Sequence, residues 1–272
     1  MRSSVRLAAG PGFVLDAVTC VDDHRGWSPA EACSRYRVVL ARRGTFRRMA
    51  DGRSTIADAT MGYLGVPGEE ERFAHPAGGD VCTSLSLTPE LWRTLTGDDT
   101  RSARSAVYVD ARLDLAHRRL LAAARDGDAP YGLAESLLPV VGAAVVRAAQ
   151  TRSTAAAAPR TGAAALTGAA REAISAGHPA AGGLLPLAEF LGVSPYRLSR
   201  AFTGELGVSL THYRNRVRVG RALDRLEEGE PSLAVLAADL GFADQAHLTR
   251  TIRRHVGHTP AALRRLLSPP DP

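Results

Sequence analysis

Two groups of side chains in the last third of the chain have the types and the spacing to read the edges of nucleic-acid bases. Tyr196, Ser199, Arg200 and Thr203 recur at intervals of three, four and seven, so a helix would carry them on one face. Ala246, Arg250 and Arg253, with His247 and Arg254 toward one side, share the outer face of a second such stretch. Arginine offers a two-pronged donor that matches the paired acceptors of guanine, and histidine, serine and tyrosine add single donors and acceptors. No acidic residue interrupts either group, which suits a groove lined with phosphates.

The elements that position these groups can be read from their neighbours. Leu198, Phe202 and Leu206 fall on one stripe of the first helix, and Leu248, Ile252 and Val256 on one stripe of the second, each opposite the polar group. Ser194 and Pro195 supply an N-cap and a first helical residue that has no N–H to waste. A shorter helix precedes each, closed by Gly192 in one copy and Gly241 in the other. The sequence therefore repeats itself: Leu187 to Tyr213 corresponds to Leu236 to Leu263. Leu198 pairs with Leu248, Arg200 with Arg250, Phe202 with Ile252 and Gly207 with Gly257, and the offset grows from 49 to 50 because the second turn is one residue longer. Each copy reads as helix, turn, helix, and a duplicated helix-turn-helix fits a partner that is itself periodic, as duplex DNA is.

Arginine identity alone carries little here, because all 34 basic residues other than histidine are arginine and lysine is absent. Position carries more. Residues 197–225 hold seven arginines against Glu205 and Asp224, and residues 250–265 hold five with no acid. One such run is ordinarily a solvated helix face, but two in register on a repeated unit favour a nucleic-acid surface.

These residues, from LGVSPYRLSRAF at Leu191 through GVSLTHYR, Arg218 and Ala222-Leu223 to LAADLGFADQAHLTRTIRR and GHTPAALR, resemble the DNA-binding domain of the AraC/XylS family of transcription regulators. The resemblance implies seven helices, with a long one at about Leu210 to Leu226 joining the two units. It implies base contacts from Tyr196, Arg197, Ser199 and Arg200 in the first unit and from Gln245, His247 and Arg250 in the second. Phosphate contacts fall to Ser194, Thr203, Arg253, Arg254 and Thr259. Two positions depart from the family pattern: Ala246 stands where many relatives carry a polar residue, and Leu263 replaces a terminal tyrosine.

The chain of 272 residues is long enough for two domains. Tyr36 to Thr88 is rich in short β-prone runs broken by turn signals, with Asp51-Gly52 the clearest hairpin. This predicts a small sandwich or barrel, and the resemblance implies a cupin-like effector domain. Leu113, His117, Leu120, Leu121 and Ala124 form one helical stripe and Leu133, Leu137, Val141 and Val145 another, either covering the barrel or pairing two subunits. The expected fold class is multi-domain α+β: a cupin-like β-barrel with a helical appendage over 1–150, a linker over 151–165, and an all-α double helix-turn-helix domain over 166–267. The GEEER run at Gly68 to Arg72 reads as a solvated loop.

No apolar core of signal-peptide length precedes Asp16, and no stretch approaches a membrane span, so a cytoplasmic protein is expected. Cys20, Cys33 and Cys82 show no metal-binding or redox spacing. His24 and His75 are isolated, and no H-x-H stands in the chain, so no catalytic residue, metal or cofactor is assigned. The expected function is sequence-specific transcription regulation in response to a small-molecule effector, by a homodimer that binds double-stranded DNA and can meet RNA polymerase. Two alternatives remain. One is a thiol- or metal-sensing regulator acting through Cys20, Cys33 and Cys82, with His24 able to join Cys20 and Cys82. The other is a cupin enzyme carrying a DNA-binding module.

Overall fold

The computed structural model describes residues 2–21, 25–97, 106–125, 130–155 and 162–267, with backbone alone for 130–134 and 150–155. The chain divides into two compact units. One comprises Met1–Val109 and Ala116–Ala149; the other comprises Asp110–Leu115 together with Gln150–Pro272.

The first unit is built on β1 (Arg2–Gly10), β2 (Phe13–Cys20), β3 (Glu31–Ala32), β4 (Tyr36–Arg43), β5 (Phe46–Ala50), β6 (Arg53–Ala57), β7 (Met61–Gly65), β8 (Glu70–Ala74), β9 (Asp80–Leu87) and β10 (Ala106–Tyr108). A six-stranded sheet runs in the order β1-β2-β9-β4-β7-β10 and a four-stranded sheet in the order β3-β8-β5-β6. All the pairings are antiparallel. Val18, Val39, Tyr63 and Cys82 of the large sheet share a core with Phe46 and Ala57 of the small one. Two sheets closing over a common interior are the cupin-like organisation that the resemblance implied. Asp51 and Gly52 join β5 to β6 with positive φ at both positions, the geometry of the favoured two-residue hairpin.

The β-structure begins earlier than the sequence indicates. β1 is largely exposed and lacks apolar alternation, whereas β2 buries Phe13, Leu15, Val18 and Cys20. A further helix, α1 (Pro89–Thr96), follows β9: Thr88 caps it, and its Trp92 is fully buried against Tyr36, rings parallel at 4.7 Å.

GEEER is not a solvated loop. Glu69 and Glu71 are buried, and Arg48 bonds both, Nε to Glu71 at 2.7 Å and Nη2 to Glu69 at 2.6 Å, while Arg37 also pairs with Glu71. The run is half in β8, whose alternation turns Glu71 inward and Glu70 outward. A charge-rich string hides this, because burial here depends on arginines about 20 residues and more away in sequence.

After β10 the chain is helical, with α2 (Ala111–Arg125) and α3 (Pro130–Ala155). Leu113, His117, Leu120 and Leu121 are buried as the stripe requires, and so are Leu137 and Val141; Val145 is half-buried and the side chain of Leu133 lies outside the described residues. α3 runs to Ala155 and the next helix starts at Ala163, both inside the stretch read from sequence as a linker.

The second unit contains α4 (Ala163–Ser175), a 3-10 turn (Pro179–Gly182), α5 (Leu184–Phe190), α6 (Pro195–Leu206), α7 (Leu210–Glu227), α8 (Leu233–Asp239), α9 (Gln245–Val256) and α10 (Pro260–Leu267). These are the seven α-helices expected. α5 and α8 are each 7 residues long and α6 and α9 each 12, so the repeat is carried into the structure and the extra residue falls in the second turn. Val219, Leu223 and Leu226 of α7 pack with Leu236, Leu248, Ile252, Val256 and Leu263, and Ala111 and Leu115 join the same cluster. Asp114 supplies a carboxylate 3.1 Å from Arg216, whose side chain is almost wholly buried. Among the described residues no helix is long and apolar enough to cross a membrane.

Candidate nucleic-acid interface and N-terminal cavity

Both turns close in the same way. Gly192 adopts φ +65° and Gly241 φ +68°. The Gly192 N–H bonds the Glu189 carbonyl and the Val193 N–H that of Ala188; Gly241 and Phe242 repeat the pattern on Ala238 and Ala237. This paired ending satisfies carbonyls that a helix leaves open and requires the left-handed conformation that glycine adopts without strain.

Each second helix then begins at a capped residue. Ser194 accepts from the Arg197 N–H at 3.2 Å, and Asp244 from the His247 N–H at 2.6 Å. The inserted residue of the longer turn is Ala243, and His247 Nδ1 accepts its N–H at 3.3 Å. His247 thus reaches back to the chain entering its own helix, its ring edge-on to Phe242. With Nδ1 accepting, the neutral ring carries its proton on Nε2 as a donor.

The outer faces follow the expected phase. Leu198, Phe202, Leu248 and Ile252 are buried, while Tyr196, Arg197, Arg200, Thr203, Gln245, Arg250, Arg253 and Arg254 are exposed, with Ser199 and His247 half-buried. Arg200 Nη1 donates to the Tyr196 hydroxyl at 2.7 Å and its guanidinium lies over the same ring. Ser194 and Thr259 are exposed too, but both act as N-caps, Thr259 accepting from Ala262 N–H at 3.3 Å.

The arginine count of residues 197–225 overstates this surface. Arg214 bonds the Gly182 carbonyl, Arg221 the Ser175 carbonyl at 2.7 Å, and Arg216 pairs with Asp114. Arg218 lies over the Phe242 ring, and Arg225 pairs with Glu230 and Asp239. These five of the seven hold α7 to its neighbours, leaving Arg197 and Arg200 on the α6 face. In the second run, Arg264 bonds the Pro231 carbonyl. Helical phase separates the two kinds; charge density does not.

A half-open cavity of about 160 Å³ lies between the sheets of the β-unit, of the size class that admits a benzene-sized molecule. Val18, Val39, Phe46, Tyr63 and Phe73 form its apolar wall. Its polar lining includes Arg2, paired with Glu31 at 2.8 Å, and Arg37, which is held by Glu71. Cys20, Cys82, His75 and Asp80 also line it, with Ser28 and Ser84. His75 Nε2 lies 2.9 Å from Asp80 Oδ1. Burial raises the Asp80 carboxyl, with the nearby histidine opposing it, and burial reinforced by Asp80 raises both thiols. All three cysteines are buried and free, but Cys33 does not line the cavity; its thiol bonds the Arg35 carbonyl. His24 lies outside the described residues. The histidine that joins the thiols is His75, which the sequence left isolated, and Asp80 was not singled out at all. The pairing of β2 with β9, which sets Cys20 opposite Asp80, is what brings them together.

A family described as a helix-turn-helix domain matches residues 187–266. The chain is similar to the HTH-type transcriptional regulator RipA of Corynebacterium glutamicum, 40% identical over 74 residues covering 27% of this chain and 22% of that one. It is similar to the probable transcription factor PqrA of Proteus vulgaris, 34% identical over 80 residues covering 29% and 66%. It is also similar to the arabinose operon regulatory protein of Escherichia coli, 30% identical over 78 residues covering 29% and 27%. The match thus spans about a quarter of the length of the first curated relatives, and residues 187–266, which the family matches, take in both helix pairs described above. Residues 187–266 thus carry a helix-turn-helix domain, in the stretch where the chain resembles the AraC/XylS family.

Proposed function

We propose that the protein is a sequence-specific DNA-binding transcription regulator whose N-terminal unit responds to a small-molecule effector, and that it is not an enzyme. The observation that carries this reading is the pair of equivalent helices, α6 and α9, each capped at its start and each turning an acid-poor polar face away from its core. Two such helices joined by α7 suit successive major-groove segments, about 34 Å or one helical turn apart. In this reading Tyr196, Arg197, Ser199 and Arg200 meet base edges in one segment and Gln245, His247 and Arg250 in the next. Thr203, Arg253 and Arg254 meet phosphates, and Ser194 and Thr259 offer the phosphate their hydroxyl protons while their oxygens cap the helices.

The cavity between the sheets is the proposed effector site: it is small, largely apolar and furnished with a few charged groups, the ordinary make-up of a ligand pocket. Leu138 and Val146, two turns apart on α3, remain exposed, and this apolar stripe is the proposed homodimer contact. Selection of bound duplexes from a random pool, with and without candidate metabolites, tests the whole reading. A recovered consensus of about two helical turns per subunit is expected; recovery of random sequence alone overturns specific recognition.

A further inference from the structure

We propose that the cavity of the β-unit holds a single zinc-class divalent cation on Cys20, His75 and Asp80, with one coordination position facing the cavity. The sulfur, nitrogen and oxygen ligand atoms of these residues lie within 4.8 Å of one another. Tetrahedral zinc at about 2.0 to 2.3 Å from such donors holds them about 3.3 to 3.8 Å apart, so the side chains need close by no more than about 1.5 Å on binding. They come from three places: the end of β2, the segment after β8 and the start of β9.

The arrangement is held from outside. His75 and Asp80 flank the loop Pro76 to Gly79, and a side chain at Gly79 would strike the Cys20 carbonyl at 2.2 Å, so the loop lies directly against the cysteine backbone. His75 is packed on Phe46, ring centroids 5.9 Å apart. Residues 75 and 80 are both buried, 5% and 3% exposed.

The Asp80 carboxylate gathers the other donors about itself. Its Oδ1 lies 2.9 Å from His75 Nε2, and the Cys20 and Cys82 thiols bond the same carboxylate. Burying a carboxylate is costly unless its charge is met, and a cation shared with Cys20 and His75 would meet it. Charge favours a dication: with one thiolate and one carboxylate the complex is neutral, the state a buried site tolerates, and the Cys20 proton leaves to solvent on binding. Thiolate with imidazole selects a borderline-soft metal over magnesium or calcium. Three protein ligands leave a fourth position, and all three residues line the cavity, so a small anionic or neutral donor there would coordinate the metal directly.

The inference rests on the cavity as the effector site only for its regulatory meaning; metal binding is measured by itself. Full-length protein freed of metal with chelator is titrated with Co2+, and then with Zn2+ in competition. The expected result is one equivalent of Co2+ with a thiolate-to-cobalt charge-transfer band, displaced by Zn2+. Cys20→Ser should abolish the band, and Cys82→Ser should retain it. Asp80→Asn should weaken binding at least as much as loss of an outer-shell partner does, about 10- to 100-fold. Circular dichroism checks that each variant is folded. No Co2+ uptake by folded parent protein, or a band that survives Cys20→Ser, overturns the site. DNA affinity of the same samples is read with and without Zn2+: bound metal with unmoved DNA affinity leaves the site standing and counts against the effector reading of the cavity.

Discussion

Arg200 is braced by Tyr196. The two stand one turn apart on the exposed face of α6, the guanidinium donating to the phenol oxygen at 2.7 Å with its carbon 5.5 Å from the ring centroid. The repeat puts Ala246 where Tyr196 stands, and among the described residues Arg250 has no such brace. Two arginines at equivalent positions therefore differ in how much freedom each loses on binding.

Tyr196→Phe removes the hydrogen bond and keeps the ring. Specific DNA affinity should fall by about 0.5 to 1.5 kcal/mol, the worth of one such bond, and by less than for Arg200→Ala, where about 1 to 3 kcal/mol is at stake with the base contact. Affinity for selected and random duplexes is the measurement. If Tyr196→Phe costs as much as Arg200→Ala, the hydroxyl does more than hold the arginine and itself bonds a base.

Arg253 and Arg254 sit in the last turn of α9, far from the end that enters the groove. Alanine at either should weaken binding to every sequence alike and lower the slope of log affinity against log salt by about one unit, because one fewer counterion is released. Arg250→Ala should instead lower the ratio of specific to random affinity. Equal specificity ratios for Arg250→Ala and Arg253→Ala would sink this division of roles.

The buried carboxylates of the β-unit can be separated from their exposed neighbour in stability. Glu71→Ala strips Arg48 and Arg37 of a shared partner inside the protein and should cost about 3 to 5 kcal/mol, as broken buried pairs do. Glu70→Ala, one residue earlier on the outward face, should stay within about 0.5 kcal/mol of the parent. Urea unfolding of both variants settles it, and equal midpoints would return GEEER to the surface.

The same contrast explains what could be read from the chain. Periodicity and caps are local, so Ser194, Pro195 and Gly192 located α6, and the repeat located α9. Asp51-Gly52 located a hairpin for the same reason. Pairings across long separations are not local: Arg48 with Glu71, Arg216 with Asp114, and Cys20 with His75 and Asp80 exist because strands and helices bring them together. His247 shows a third case. Its outward position was legible from helical phase, but its bond to the Ala243 N–H was not, because that bond answers a donor left over by one extra residue in the turn.

His255 faces His212 across α9 and α7, ring centroids 4.6 Å apart. Burial, then His212, Arg216 and Arg254, push its pKa down to about 4, with Asp110 opposing, and burial lowers His212 as well, again opposed by Asp110. Both rings are therefore neutral in the folded protein near pH 7. The unfolded chain takes up protons at about pH 6.5, so between that value and about 4 it binds protons that the folded His255 refuses. Stability should accordingly be intact above pH 6.5, fall as pH drops through this window, and lose no more on account of His255 below it. Denaturant unfolding of the parent and of His255→Phe at pH 7.5 and pH 5.5, taken about one unit either side of the free histidine value, isolates the effect. The parent should lose more stability than the variant between the two pH values, with a residual loss in the variant from His212. If His255→Phe loses as much as the parent, the ring is solvated in the folded protein and can be protonated there at no cost.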